Sequence, residues 1–95
     1  FWPGPLTMIF KKGDAVPRIV TANLDTVAVR FPSNKTAQNL IKKSGVFVAA
    51  PSANLSGSPS PTVFKHVCDD MMGRVDFIID GGECSVGIES TVLDV

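Results

Sequence analysis

The order of β-forming and helical segments is the feature that most limits how this chain can fold. Short runs of apolar and β-branched residues alternate with two segments whose apolar side chains repeat at helical spacing. The strand patterns cover residues 6–11, 26–30, 46–49, 75–79 and 91–93. Strands alternating with helices build a sheet with parallel members and with helices packed on it.

Two helices are predicted between these strands. The first covers residues 36–44 and ends at Gly45, because glycine adopts the left-handed conformation that stops a helix. The second begins at Ser60 and Pro61, where a hydroxyl cap and a proline in the first turn are typical start signals. The run 46–49 is apolar throughout, so it is predicted to be a strand buried on both faces.

The composition argues against several classes of partner. Nine basic residues balance nine acidic ones, which disfavours nucleic acid or an anionic membrane as the main partner. No apolar run approaches the roughly 20 residues of a membrane span. Cys68 and Cys84 form no metal-ligand cluster with His66, so we expect reduced thiols and a cytoplasmic protein. With 44% hydrophobic content, 95 residues suit one small globular unit.

A long polar loop follows the apolar run 46–49. Its sequence, APSANLSGSPSPT, carries more hydroxyl, amide and proline groups than a plain connector needs. In an extended loop, Ser52 and Asn54 point to one face and offer uncharged donors and acceptors to phosphate, ribose or an amino acid. The alternative is an Asx or Ser turn that satisfies its own backbone. Gly57 and the prolines favour a rigid ligand-binding loop.

Two further places near strand ends carry groups suited to binding. Arg30 ends a strand pattern, and its planar fork suits a carboxylate or a phosphate; the alternative is a surface salt bridge. Ser90 and Thr91 follow Glu89 at the start of the last strand pattern, where Glu89 is a candidate base and a plain turn is the alternative. No catalytic triad or Walker loop occurs. We therefore predict no catalytic side chain and a reaction at phosphate that depends on positioning and electrostatics.

Four ordered stretches resemble a known family. They are FWPGPLTMIF, TVAVRFP, APSANLSGSPSPT, and IDGG followed by GIESTVLD. Together they resemble the YrdC-like domain of L-threonylcarbamoyladenylate synthases. The resemblance implies an α+β fold, with a strongly twisted mixed β-sheet flanked by helices. It also implies that L-threonine, bicarbonate and ATP give L-threonylcarbamoyl-AMP and pyrophosphate, for N6-threonylcarbamoyladenosine (t6A) modification of tRNA.

The same resemblance implies the residues and partners of the site. The implied threonine-binding residues are Arg30, Ser52 and Ser90. The implied ATP-binding residues are Thr26, Ser52, Asn54 and Thr62. Mg²⁺ is expected on the triphosphate, with no metal site built by the protein itself. Transfer RNA or double-stranded RNA, and the proteins that complete t6A transfer, are the further partners implied.

The sequence departs from the family pattern in two ways. The family's Lys-x-Arg motif, which contacts the nucleotide, does not occur in these 95 residues. Ser33 and Asn34 stand where many relatives have Asp-His. Because the chain starts without Met and stops at Val95 inside a strand pattern, we expect residues 1–95 to be the central and C-terminal portion of a single YrdC-like domain. We expect this portion alone to be inactive.

Three alternatives remain open at this stage. The same domain type occurs in hydrogenase-maturation carbamoyltransferases, which form a carbamoyl adenylate from carbamoyl phosphate. A non-catalytic module that binds double-stranded RNA or tRNA is the second alternative, and a salt-sensitive RNA affinity without threonine-dependent turnover would indicate it. The third is that these residues alone do not hold an active fold.

Overall fold

The computed structural model describes residues 1–84 and 90–95. Glu89, the candidate base, lies outside the described residues. Within them the chain divides into two compact units: one contains residues 1–49 and 90–95, and the other contains residues 50–84.

The first unit is built on a mixed three-stranded sheet. Its strands are β1 (Leu6–Lys11), β2 (Thr26–Arg30) and β3 (Thr91–Asp94). The spatial order is β2-β1-β3, with β2 antiparallel and β3 parallel to the central β1. All three strands were predicted, β1 and β2 with these bounds and β3 one residue shorter. A 3-10 helix, Arg18–Thr21, lies between β1 and β2 in the chain.

Helix α1 (Lys35–Ser44) confirms the first predicted helix, one residue longer at its start. The Asn34 side chain accepts a hydrogen bond of 3.0 Å from the backbone N–H of Ala37 and so caps the helix. This bond satisfies one of the four N–H groups that a helix start leaves unpaired. Gly45 ends the helix in the left-handed conformation, with a φ of 69°.

We expect the Asn34 cap to contribute measurably to stability. Replacing Asn34 by alanine removes the acceptor and should lower the free energy of unfolding by about 1 kcal/mol. Asn34→Ser, which keeps a capping oxygen, should stay within a few tenths of a kcal/mol of the native protein. Urea titration of the full-length protein, followed by circular dichroism, measures both values. An equal loss in the two variants would contradict a capping role.

The second unit contains helix α2 (Phe64–Met71). The prediction that this helix begins at Ser60 and Pro61 is wrong. Val63 is extended at its start, and no side chain caps the helix. The carbonyl of Thr62 accepts a hydrogen bond of 2.9 Å from the backbone N–H of Cys84. The Thr62 carbonyl is therefore paired with a residue far away in the sequence. It does not take part in a helix that starts at Ser60 and Pro61, as the capping signals predicted. Neither α1 nor α2 is long and apolar enough to cross a membrane.

Two predicted strands are absent from the described part of the chain. Residues 46–49 and 75–79 form no strand, and the expected burial of 46–49 is also wrong, since Phe47 is fully exposed. A strand needs backbone groups of a second strand to pair with, and no segment within the described residues pairs with either run. In this part of the chain no hydrophobic side chain is buried.

Candidate functional site

Three polar side chains meet at one end of the sheet in the first unit. Thr7 on β1 lies directly opposite Arg30 on β2 in the antiparallel ladder. Residues paired in this way point to the same face of a sheet. Ser90 immediately precedes β3, whose first residue, Thr91, is paired with Leu6 in the parallel ladder. The strand register therefore brings Arg30 and Ser90 together, 60 residues apart in sequence, and adds Thr7.

Hydrogen bonds join these three side chains into one cluster. The Nε–H of Arg30 donates to Thr7 Oγ1 at 3.0 Å. An Nη2–H of Arg30 donates to Ser90 Oγ. The two hydroxyl oxygens of Thr7 and Ser90 lie 3.2 Å apart and share a further hydrogen bond. Thr7 is only 8% exposed, whereas Arg30 is open to solvent and Ser90 is half-buried. We call Thr7, Arg30 and Ser90 the arginine cluster.

The arrangement leaves one edge of the Arg30 guanidinium directed away from the two hydroxyls. The bonds to Thr7 and Ser90 use the Nε–H and one Nη2–H, which form the side edge of the planar group. The other edge, made by Nη1 and the second Nη2–H, matches the two oxygens of a carboxylate. Among the described residues no carboxylate lies within salt-bridge distance of Arg30; the ion pairs there are Arg18 with Asp25 and Lys65 with Asp69. The surface salt bridge considered from sequence is thus not found in this part of the chain.

The N-terminal segment FWPGP helps to fix the end of β2 that carries Arg30. The backbone N–H of Gly4 donates to the carbonyl of Phe31 at 2.9 Å, which continues the pairing beyond the ladder. The rings of Trp2 and Phe31 lie with their centroids 6.5 Å apart at an interplanar angle of 54°, a tilted contact of the kind aromatic pairs favour. These contacts restrict the backbone directly after Arg30.

The polar loop of the second unit is closed around Asn54. The Nδ2 group of Asn54 donates to the carbonyls of Leu55 at 2.8 Å and Ser58 at 2.9 Å. The backbone N–H of Leu55 donates to a carboxylate oxygen of Asp70 on α2 at 3.1 Å. Gly57 has a φ of 89°, a conformation that glycine adopts without steric cost. The loop is therefore a preset turn held by the amide of Asn54 and by α2.

The other half of the Asn54 amide is not used in the same way. Its Oδ1 is buried and has no hydrogen-bond partner among the residues described. An acceptor buried without a partner costs about 1–3 kcal/mol, so such groups in native proteins generally have a partner. The amide nitrogen thus forms the turn considered from sequence, which satisfies its own backbone, while the oxygen has no partner among the described residues. Ser52, two residues earlier, is exposed.

The remaining predicted ATP contacts occupy separate places. Thr26 is paired with Lys11 at the far end of β2 and lies on the same face as Arg30, about 13 Å away at the usual rise per strand residue. Thr62 is half-buried in the second unit with Ser52 and Asn54. Within the described part of the chain, no three His, Cys, Asp or Glu side chains converge as metal ligands.

Thr7 and Asp70 are the site residues that the sequence did not reveal. A threonine inside a β-strand is common, so Thr7 in LTMIFK looks like any strand residue. Asp70 lies 15 residues after the Leu55 amide that it binds, and an acidic residue on a surface helix has no distinguishing pattern. To find Thr7, one would need the register of the strands. To find Asp70, one would need the geometry of the loop that it binds.

Comparison with known proteins identifies the family. The Sua5/YciO/YrdC family model, described as telomere recombination, matches residues 1–95. The chain belongs to this family. A curated threonylcarbamoyl-AMP synthase of Pyrococcus abyssi is 55% identical over the whole chain, which spans 28% of that relative. The synthase of Bacillus subtilis is 55% identical over 98% of the chain, which spans 27% of it.

A solved structure supports the fold of this family member. Pyrococcus abyssi Sua5 in complex with L-threonine superposes on the whole chain with a TM-score of 0.96 at 55% identity, and the chain spans 28% of it. The mixed sheet expected from the resemblance is thereby confirmed. The chain spans about a quarter of the length of these relatives.

Proposed function

We propose that the full-length native protein containing this chain synthesises L-threonylcarbamoyl-AMP. The threonine amine and bicarbonate form a carbamate and release water, and a carbamate oxygen then attacks the α-phosphorus of ATP and displaces pyrophosphate. The observation that carries the proposal is the open edge of Arg30 in the arginine cluster. That edge matches the carboxylate of an amino acid, and a 55% identical relative is known in complex with L-threonine.

In this proposal the arginine cluster binds the threonine end of the reaction. Arg30 holds the carboxylate through its two free N–H directions, and Ser90 contributes its hydroxyl beside it. A carboxylate held in this way leaves the threonine amine free to react with bicarbonate. In this reaction the carbamate formed from threonine is the nucleophile, so the contribution of the arginine cluster is to orient the amino acid.

The polar loop and the two threonines are proposed to bind ATP. The buried Oδ1 of Asn54 supports this role because it needs a donor, such as a ribose hydroxyl or an adenine amino group. Ser52 offers an exposed hydroxyl in the same loop, which we propose contacts both substrates. Thr26 and Thr62 provide hydroxyls for phosphate or ribose oxygens.

The triphosphate of ATP offers Mg²⁺ the oxygen ligands that it commonly uses. The described residues supply no converging set of three ligands, and Mg²⁺ in phosphate chemistry is commonly held by phosphate oxygens and water, with one or two carboxylates. We therefore assign the ion to the triphosphate, where it neutralises charge.

We further propose the setting in which the protein works. Residues 1–95 form the central and C-terminal portion of one YrdC-like domain, which is supported by a family match over the whole chain and by its span of 28% of a relative. The product then serves t6A formation in the cytoplasm, with tRNA and the t6A-transfer proteins as downstream partners.

Pyrophosphate release by the full-length native protein tests the proposal. We expect release from ATP to require both L-threonine and bicarbonate, and mass spectrometry to detect L-threonylcarbamoyl-AMP. D-threonine is the matched control, because it presents the same groups with the wrong geometry. Release that does not depend on threonine would overturn the proposal. Pyrophosphate release with carbamoyl phosphate in place of threonine and bicarbonate then tests the carbamoyltransferase alternative. RNA binding measured at several salt concentrations tests the RNA-binding alternative.

A further inference from the structure

Thr7 is the most enclosed member of the arginine cluster. It is 8% exposed, and its hydroxyl contacts both residues that we propose bind threonine. It accepts from the Nε–H of Arg30 at 3.0 Å and lies 3.2 Å from Ser90 Oγ. A buried hydroxyl needs hydrogen-bond partners, and both partners of the Thr7 hydroxyl are residues that we propose bind threonine.

The direction of the Thr7–Ser90 bond follows from counting protons. Both oxygens accept from Arg30, and each hydroxyl has one proton to donate. If Ser90 donated to Thr7, the enclosed Thr7 proton would have no acceptor within residues 1–84 and 90–95. Buried polar groups are almost always paired, so the arrangement that pairs the Thr7 proton is the one in which Thr7 donates to Ser90. The proton of the more accessible Ser90 is then left for a ligand.

We propose that Thr7 is a positioning residue for the amino-acid substrate, an inference that rests on the proposed function. The Thr7 hydroxyl holds the side edge of the Arg30 guanidinium, so that the opposite edge is presented to the carboxylate. It also directs the Ser90 proton outward, where that proton meets a substrate oxygen. Thr7 does not touch the substrate and acts through its two neighbours.

The comparison of Thr7→Val with Thr7→Ser tests this role in the full-length native protein. Valine keeps the branched shape and burial of threonine but removes the hydroxyl, whereas serine keeps the hydroxyl and loses a methyl group. We expect Thr7→Val to raise the KM for L-threonine about tenfold, the size of one hydrogen bond to a charged group. The kcat and the KM for ATP should change less than about twofold, because only uniform binding of threonine is weakened. Thr7→Ser should keep most of the affinity of the native protein for threonine.

A structural readout keeps this test independent of the proposed function. The Nε–H of the Arg30 guanidinium gives its own signal in nitrogen-15 NMR spectra. The signal is assigned to Arg30 by its absence from the spectrum of the Arg30→Lys variant. In Thr7→Val we expect this signal to shift and to exchange faster with water, since its acceptor is gone, while Thr7→Ser keeps it.

The outcomes separate the two hypotheses. If the native protein shows no threonine-dependent pyrophosphate release, the proposed function fails, and the Arg30 signal alone decides whether Thr7 holds the guanidinium. An active native protein whose Thr7→Val variant has an unchanged KM for threonine overturns the inference. So does a loss of kcat and both affinities together with a lowered unfolding midpoint, which indicates a purely structural role. An unaltered Arg30 signal in Thr7→Val overturns it as well.

Discussion

Replacing Arg30 by lysine is expected to raise the KM for L-threonine about a hundredfold while kcat stays within about threefold of the native value. Lysine keeps the positive charge but has no planar fork, so it cannot hold two carboxylate oxygens in parallel. It also loses the side edge through which Thr7 and Ser90 orient the group. Loss of two charge-assisted hydrogen bonds at about 1.5 kcal/mol each gives an effect of this size.

Steady-state kinetics of pyrophosphate release, at saturating ATP and bicarbonate, measures this change. Arg18→Lys is the matched control: Arg18 is an arginine of the same unit, with its side chain 57% exposed and paired with Asp25 at 3.2 Å. It should leave both constants unchanged, because surface ion pairs contribute little. If Arg30→Lys left the threonine KM unaltered, the open edge of Arg30 would have no role in binding. A similar rise in the two variants would indicate a general effect of charge distribution.

Helix α1 and strands β1 and β2 were predicted correctly from signals carried by nearby residues. Helix α1 has an Asn34 cap, a periodic apolar face and the Gly45 stop, all of which are local signals. Strands β1 and β2 are short runs of β-forming residues with clear breaks on either side. Their mutual register, which places Arg30 opposite Thr7, needed the structure.

The elements that the sequence predicted wrongly depend on distant partners. Residues 46–49 and 75–79 have the composition of strands, but composition alone cannot supply the paired backbone that makes a strand. The start of α2 shows the same effect, since the bond between Thr62 and Cys84 spans 22 residues of chain and outweighs the capping signals at Ser60 and Pro61.

The candidate site shows how predictions from the sequence differ from the contacts that the structure describes. Arg30, Ser90 and Asn54 were predicted from their chemistry near strand ends, and the family resemblance then implied their roles; neither source identifies their contacts. The structure adds that Arg30 and Ser90 share bonds with Thr7, and that the two ends of the Asn54 amide differ in their partners. The roles of Ser52, Thr26 and Thr62 stay predictions, because no described contact distinguishes their hydroxyls.

The described residues bury no hydrophobic side chain, and the chain spans 28% of a relative with which it is 55% identical. A protein unit without an apolar core has no main source of folding free energy. Loss of activity in this chain alone would therefore say nothing about the site. The comparison of matched variants in the complete protein separates folding from binding.

A second large effect is expected at Asn54, where aspartate should lower kcat/KM for ATP by at least about a hundredfold. Aspartate has nearly the same shape, but it replaces the donor Nδ2 by an oxygen facing the carbonyls of Leu55 and Ser58. Two hydrogen bonds become repulsive contacts, each costing about 1–3 kcal/mol as acceptors are left unpaired. The new negative charge also opposes triphosphate binding, which adds to the loss.

Comparison with Asn54→Ala separates these contributions. Alanine removes the orphan acceptor Oδ1 and the donor but adds no charge, so we expect it to lose activity toward ATP with less effect on the unfolding temperature than aspartate has. Asn39→Asp is the matched control, since Asn39 is an exposed residue of α1 and acquires the same charge away from the loop. Pyrophosphate kinetics and thermal unfolding of the full-length variants provide the two measurements. Should Asn54→Ala keep native kcat/KM for ATP, the buried oxygen would have no nucleotide donor, and the loop of residues 50–62 would be a structural turn only.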